Sequence, residues 1–397
     1  MEILFISHKY PPALGGMEKQ SFELINGLKP YLKVHSIVYE GKESRLSFFL
    51  KLNQRIILLC KENQGISIIH FNDALVAAWS LTHKGYSHLK RTMTVHGLDI
   101  VFPSRIYQHF VLPKFNRFDL IFAVSRATAE ACILRGISPG KVVVVNNGVD
   151  TSIKPSLLRA DIAIMMKEKY HLDCTDKRIL VAMGRPVKRK GFSWFIQNVL
   201  PKLHEDFILL LIGPSVEEKT DFKNYLFKNI PSFIRKPMEL FLGYPSDRQT
   251  VITLIKNPLI SGRVKNLGKL PFTDIINILG IAEALIMPNI YIKGDMEGFG
   301  LVGLEASMCG TKVIASGIEG ITDAVHPGKN GILLPTQDAN AWIDALNQLI
   351  NEPKKMNRAD IINYTKQQFN WKKMTDHYLS FFKKLITEQR QYTDTTL

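Results

Sequence analysis

Short runs rich in β-branched and other apolar residues alternate along this chain with longer segments whose apolar positions recur at helical spacing. Ile3 to Ser7 is followed by Glu18 to Leu28, Ser36 to Tyr39 by Leu46 to Lys61, and Ile66 to His70 by Ala74 to His83. That alternation predicts βα units and a parallel sheet. It continues through Arg91 to His96, Leu120 to Ser125 with a helix from Ala127 to Arg135, and Lys141 to Val145, which runs into Asn146-Asn147-Gly148. A polar stretch from Asp150 to Lys177, interrupted by Pro155, then separates this pattern from a fresh start at Arg178 to Met183. Phe207 to Ile212, Val264 to Leu267, Ala284 to Met287, Thr311 to Ala315 and Gly331 to Leu334 read as further strands of a second sheet, with a poorly periodic region from Pro214 to Ser261. The tail carries Trp371, Met374, Tyr378, Phe381, Phe382 and Leu385 near helical spacing and closes the chain as a helix.

The expected organisation is therefore α/β, with two Rossmann-like doubly wound domains at residues 1–165 and 176–370 and a closing helix at 371–397. Sheets of this kind place their ligand crevices at the carboxyl ends of the strands. Functional residues are expected just after strands, and a two-domain protein of this type most naturally works across a cleft.

Composition adds sign and compartment. At 397 residues and 46% hydrophobic the chain can fill two cores. Its formal net charge is +15, and 20 basic against 11 acidic residues precede Asp161, so the first part carries a surplus of nine. Such a surplus favours anionic partners, whether phosphorylated metabolites, nucleic acid or anionic lipid, without choosing among them. Cys60, Cys132, Cys174 and Cys309 show neither C-x-x-C nor zinc-ligand spacing, which points to a reducing, cytoplasmic setting rather than a disulfide framework or structural metal. The start Met1-Glu2-Ile3-Leu4-Phe5-Ile6 carries an acid where a signal peptide needs a base, and reads as a strand. No run approaches the ~20 apolar residues that cross a bilayer. Leu46 to Lys61 mixes large apolar residues with Lys51, Arg55 and Lys61, a composition shared by core-facing helices and by helices lying on the cytoplasmic face of a membrane.

Four stretches at strand exits carry chemistry. Pro11-Pro12-Ala13-Leu14-Gly15-Gly16-Met17-Glu18 joins a rigid turn to two glycines and a helix start, where amides can approach a phosphate, although an ordinary βα turn also uses glycine. At the fourth strand exit His96-Gly97-Leu98-Asp99 offers an imidazole able to donate to a sugar hydroxyl; a lone histidine is also a common structural residue. Gly184-Arg185-Pro186-Val187-Lys188-Arg189-Lys190-Gly191 sets four bases in six residues, able to grip a diphosphate or merely to form a solvated basic turn. Asp295-Met296-Glu297-Gly298-Phe299-Gly300-Leu301, leading to Glu305, sets two glutamates around a glycine-rich bend. Its amides can point at an anion while the carboxylates accept from hydroxyls, so its ligand should carry both phosphate and polyol. Because helical side chains lean toward the amino terminus, Glu305 can reach back toward the site that Glu297 borders.

Taken in order, Gly15-Gly16-x-Glu18, His96-Gly97, Asn147-Gly148-Val149-Asp150, Gly184-Arg185 with Lys190-Gly191, and Glu297-x7-Glu305 resemble the retaining glycosyltransferases of family 4, the glycosyl transferases group 1, over nearly the whole chain. The resemblance implies the GT-B fold: two facing Rossmann-like domains, the first on the acceptor side, the second holding the nucleotide-sugar, and a crossover helix returning to the first. It implies transfer of a hexose-type sugar from a nucleotide-diphosphate donor, UDP-linked more than GDP-linked, to a glycan or lipid-linked acceptor in surface polysaccharide or glycolipid synthesis. On that resemblance Glu305 binds the ribose and Glu297 the sugar. Arg185 and Lys190 neutralise the diphosphate with the amides of Gly298, Phe299, Gly300 and Leu301 and with Gly15 and Gly16, and His96 faces the anomeric carbon.

The segment Gly317-Ile318-Glu319-Gly320-Ile321-Thr322-Asp323 departs from the family's commoner Gly-Gly-x-Pro-Glu form. No Asp-x-Asp is present, so side-chain cations are expected to replace a metal and no cofactor is required. A nucleotide-sugar epimerase of the same architecture and a non-catalytic nucleotide-sugar-binding protein are the alternatives. A dehydrogenase would want G-x-G-x-x-G after the first strand, and nucleic-acid binding rests on charge alone.

Overall fold

A computed structural model describes residues 1–13, 15–204, 206–214, 246–351 and 357–394, and the chain divides into two units: Met1–Gly148 with Phe369–Leu397, and Val149–Gln368. In the first unit β1 (Glu2–Ser7), β2 (Lys33–Val38), β3 (Ile66–Phe71), β4 (Lys90–Val95), β5 (Leu120–Ala123) and β6 (Val142–Val144) form a parallel sheet in the order β2-β1-β3-β4-β5-β6. Central strands are apolar on both sides because helices cover both faces: Ile3 to Ile6 are fully buried, with Leu4 opposite His35 on one neighbour and Ile69 on the other.

The closing helix, Trp371–Asp394, belongs to this unit and packs beside the helix Gly16–Leu28. Tyr378 stacks on Phe122 at 4.2 Å between ring centroids and its hydroxyl lies 2.9 Å from Thr94 Oγ1; Phe382 meets Phe5 edge-on. The helix Arg45–Glu62 buries Phe48, Leu52 and Ile56 against this core while leaving Leu46, Leu50 and Leu58 exposed. Among the described residues no helix is long and apolar enough to cross a membrane.

The second unit repeats the plan with β7 (Arg178–Met183), β8 (Phe207–Ile212), β9 (Val264–Gly268), β10 (Ala284–Met287), β11 (Lys312–Ser316) and β12 (Gly331–Leu334). They are parallel in the order β12-β11-β10-β7-β8-β9, which is the Rossmann sequence of strands. Every residue of β8 is buried, and Trp342 is fully buried with its ring 5.9 Å from Phe195 and its Nε1 donating to the Pro335 carbonyl. The polar stretch before β7 contains a helix, Arg159–Tyr170, that buries only Ile162 and Met166 and is tied to Asp274 by Lys169 and the Tyr170 hydroxyl. Of the poorly periodic Pro214 to Ser261 region, the described part holds helices at Arg248–Ile255 and Pro258–Ser261, and the rest lies outside the described residues.

Strand order reverses between β1 and β3 in the first unit and between β7 and β10 in the second, and in open α/β sheets these are the points where ligand crevices open. Cutting Tyr378 to alanine should empty a core site and lower the unfolding free energy by about 3–5 kcal/mol, whereas Tyr378→Phe loses only a hydroxyl contact, about 1 kcal/mol. Urea denaturation of both variants checks this.

Candidate active site

In the second unit the chain leaves β7 at Gly184 and passes through Arg185-Pro186-Val187 into a short 3-10 turn, Lys188–Lys190, before the helix Phe192–Asn198. Gly191 makes the turn possible. Its φ is 66°, and a Cβ there would stand 1.9 Å from the Pro288 carbonyl oxygen, so the β7 loop lies directly against the loop leaving β10. The Ile290 amide completes the seam by donating to the Arg189 carbonyl at 2.9 Å.

That backbone contact turns two of the four bases of the loop onto one carboxylate. Lys190 Nζ lies 2.6 Å from Glu297 Oε2, the Arg189 guanidinium donates to the same oxygen, and Asn289 Nδ2 donates to it at 3.2 Å. Arg189 Nε stands 3.1 Å from Asp295 Oδ1, an ion pair not aligned as a hydrogen bond. The side chains of Arg189, Lys190 and Glu297 are only 11%, 12% and 14% exposed, so the charges interact with little screening. Burial pushes Glu297 toward its neutral form, but Arg189 and Lys190 outweigh it and hold the carboxyl well below the usual carboxylate range. Burial pulls the Lys190 ammonium below the usual lysine range despite Glu297.

Glu297 is followed by a bend at Gly298 to Gly300 and the helix Leu301–Met308, whose N-cap Gly300 supplies no side-chain bond. In its first turn the Gly303 amide donates to the Gly300 carbonyl at 2.9 Å, while the amides of Leu301 and Val302 stand at the helix start that follows Glu297. Glu305 sits half-buried on this helix, and its charge adds to the burial that pushes the Cys309 thiol up to about 12. Glu319, arriving from β11, accepts a 2.6 Å bond from the Glu297 amide through Oε2. Burial pushes its carboxyl up to about 7, against the pull of the Glu297 amide and Arg189. A cavity bounded by Gly184, Pro186, Phe192, Ile212, Gly213 and Asn266 lies beside the β7 exit.

The structure thus joins Lys190 to Glu297 directly and sets Gly298, Phe299, Gly300 and Leu301 next to them. Arg185 is exposed, and its charge is felt at Lys190. Arg189, Asp295, Asn289 and Glu319 complete the cluster. Sequence reasoning assigned them no role, because a run of bases does not reveal which cation a 3-10 turn will point inward.

Gly15, Gly16 and His96 belong to the first unit, around its own switch point. Gly15 opens the helix Gly16–Leu28, with Glu18 Oε1 3.6 Å from Lys9 Nζ. His96 Nε2 lies 3.0 Å from the Asn72 carbonyl oxygen, which can only accept, so the proton sits on Nε2 and the neutral ring offers Nδ1 as an acceptor. A donor role for this imidazole toward a sugar hydroxyl, expected from sequence, is therefore limited to its protonated form. The His96 amide donates to Asp99, and Asp73, which caps the helix Ala74–Ser80, pairs with His8 Nδ1 at 2.8 Å.

The fold and these motifs define a GT-B glycosyltransferase. Residues 167–368 match the family Glycosyl transferases group 1 and residues 4–153 match Glycosyltransferase Family 4, and the chain belongs to this family of enzymes. It is 34% identical over 131 residues to a D-inositol 3-phosphate glycosyltransferase of Corynebacterium urealyticum, a match covering 32% of this chain and 29% of that protein. It is 26% identical over 278 residues to the glycosyltransferase MJ1069 of Methanocaldococcus jannaschii, covering 68% of this chain and 60% of that one. The matched region thus spans less than two thirds of either relative. Among solved structures, Anabaena HepE in complex with UDP superposes with a TM-score of 0.70 at 19% identity, covering 97% of this chain and all of that one, and it has also been solved with UDP-glucose.

Glu297→Ala removes the carboxylate opposite a buried ammonium and is expected to lower stability by about 3 kcal/mol. In the unaltered protein the lowered pKa of Glu297 contributes stability that is present above the ordinary carboxylate range and is lost as pH falls below it. Urea unfolding at neutral pH and at pH values below that range should show a large deficit for the variant at the first and a shrinking one at the second.

Proposed function

We propose that this glycosyltransferase moves a hexose from a nucleotide-diphosphate donor, UDP-linked rather than GDP-linked, to a hydroxyl of a glycan or lipid-linked acceptor, with retention and without a metal. The observation that carries the reading is the cluster in which Lys190 and Arg189 converge on Glu297 at the switch point between β7 and β10, beside an uncapped helix start. An ammonium has three donors and Glu297 takes one, so Lys190 can hold a phosphate oxygen while it holds the carboxylate. Arg185, exposed at the β7 exit, is free to fold onto the same diphosphate. The amides from Gly298 to Leu301 supply further donors, and Glu305 accepts from the ribose. HepE, solved with UDP and UDP-glucose on the same fold, supports a uridine diphosphate donor.

In the reaction so read, the acceptor oxygen forms a bond to the anomeric carbon on the face from which the diphosphate departs. The bond from that carbon to the phosphate oxygen breaks, and the leaving phosphate takes the acceptor's proton. No protein nucleophile is needed. The protein's contribution is to stabilise charge on the departing diphosphate through groups already in place, while Glu297 holds the sugar hydroxyls. In the first unit, Gly15 and Gly16 supply amides at a helix start, and His96 offers Nδ1 as an acceptor for a hydroxyl. The exposed Leu46, Leu50 and Leu58, next to Lys51 and Lys61, support contact with an anionic cytoplasmic membrane face bearing a lipid-linked acceptor.

Transfer from UDP-glucose should persist in excess chelator, and Arg185→Ala or Lys190→Ala should each lower turnover roughly 10²- to 10³-fold, as removal of one preorganised donor does elsewhere. Strict dependence on added divalent metal would contradict the reading. Flotation with anionic vesicles at low salt should recover the protein, and replacing Leu46 and Leu50 by serine should abolish that recovery.

A further inference from the structure

Glu319 stands where the chain turns after β11 and holds a φ of 53°, one of three non-glycine residues with positive φ among those described. Three features of this position oppose a glutamate. The backbone there suits glycine, the side chain is largely withdrawn from water, and the carboxylates of Glu297 and Asp295 stand near enough to disfavour its charge. What it gains is a 2.6 Å bond from the Glu297 amide to Oε2. The same two segments are joined a second time by the Gly320 amide, which donates to the Glu297 carbonyl at 3.1 Å. They lie so close that a Cβ on Gly320 would stand 2.0 Å from the Gly298 carbonyl oxygen. Glu319 and Gly320 therefore clip both polar groups of the Glu297 peptide, immediately before the bend whose amides open the helix Leu301–Met308. Residues held in a disfavoured conformation tend to be retained where the geometry they impose serves the site.

We propose that Glu319 is a positioning residue for sugar transfer: by fixing the Glu297 amide it sets the direction of the Glu297 carboxylate and of the amides that follow toward the donor. The inference rests on the donor site described under Proposed function and assigns a role to a loop that departs from the usual family form. The charged groups that face the Glu319 carboxyl are Arg189 from the β7 loop and Asp295 and Glu297 from the β10 loop. With its carboxyl pushed up to about 7, the group changes charge near neutrality, and its ionised form is the stronger acceptor for the amide.

Two variants separate positioning from folding. Glu319→Gly removes the bond and at the same time suits the backbone, so its melting temperature should equal or exceed that of the unaltered protein and its affinity for UDP should stay within about twofold. Its kcat with UDP-glucose should fall at least about tenfold with little change in KM. Glu319→Gln keeps an acceptor oxygen but cannot ionise; its turnover should match that of the unaltered enzyme below about pH 7 and lack the rise in kcat that the unaltered enzyme shows as pH passes through about 7. Unaltered kcat in a folded Glu319→Gly would overturn the proposal alone. So would a Glu319→Gln variant that keeps the rise near neutrality. Absence of UDP binding and turnover in the unaltered protein would overturn the donor reading first and this proposal with it.

Discussion

The candidate site depends on one close approach of backbone to backbone. Gly191, lacking a Cβ, lets the loop leaving β7 lie on the Pro288 carbonyl of the loop leaving β10, and from that contact the positions of Arg189, Lys190 and Glu297 follow. Two cations and an amide then meet on a single carboxylate oxygen in a place with little water. An isolated pair buried to this extent would be a doubtful source of stability, because desolvation offsets attraction. Its use lies in placement: the cluster fixes the charges in advance, so that little rearrangement is needed when a phosphate arrives.

Both sheets place their chemistry where strand order reverses. In the second unit that point carries the cationic cluster and the helix start, and in the first it carries His8, Asp73 and His96 close to the exits of β1, β3 and β4. The bonds there already commit several polar groups. Asp73 is shared between His8 and the amides of Leu75 and Val76, and His96 spends Nε2 on a carbonyl. What remains for a ligand in the first unit is a smaller set of groups than the sequence motif suggests.

Most of the architecture was legible in the sequence because buried parallel strands are continuous apolar runs and their exits are marked by glycine or proline. Most of the twelve described strands fall on such runs, with ends displaced by a few residues, whereas the edge strands β2 and β9 mix polar with apolar residues and are only partly buried. The helix Arg159–Tyr170 was not legible, since only Ile162 and Met166 face inward and its anchoring is polar, through Asp274. The site was legible in part. Lys190 and Glu297 stand out by spacing, but Arg189 is indistinguishable in sequence from Lys188 beside it, which points to solvent. Glu319 carried a visible signal, a departure from a glycine-rich form, yet its bond to an amide 22 residues earlier is a property of how β10 and β11 lie side by side.

The most direct measurement is thermal unfolding with nucleoside diphosphates added in turn to the unaltered protein and to Lys190→Ala. A diphosphate at 100 times its dissociation constant should stabilise the unaltered protein by about 2.7 kcal/mol, and the same concentration should stabilise the variant by far less. Equal stabilisation of both proteins, or none by any nucleoside diphosphate, would contradict a phosphate grip built on this lysine.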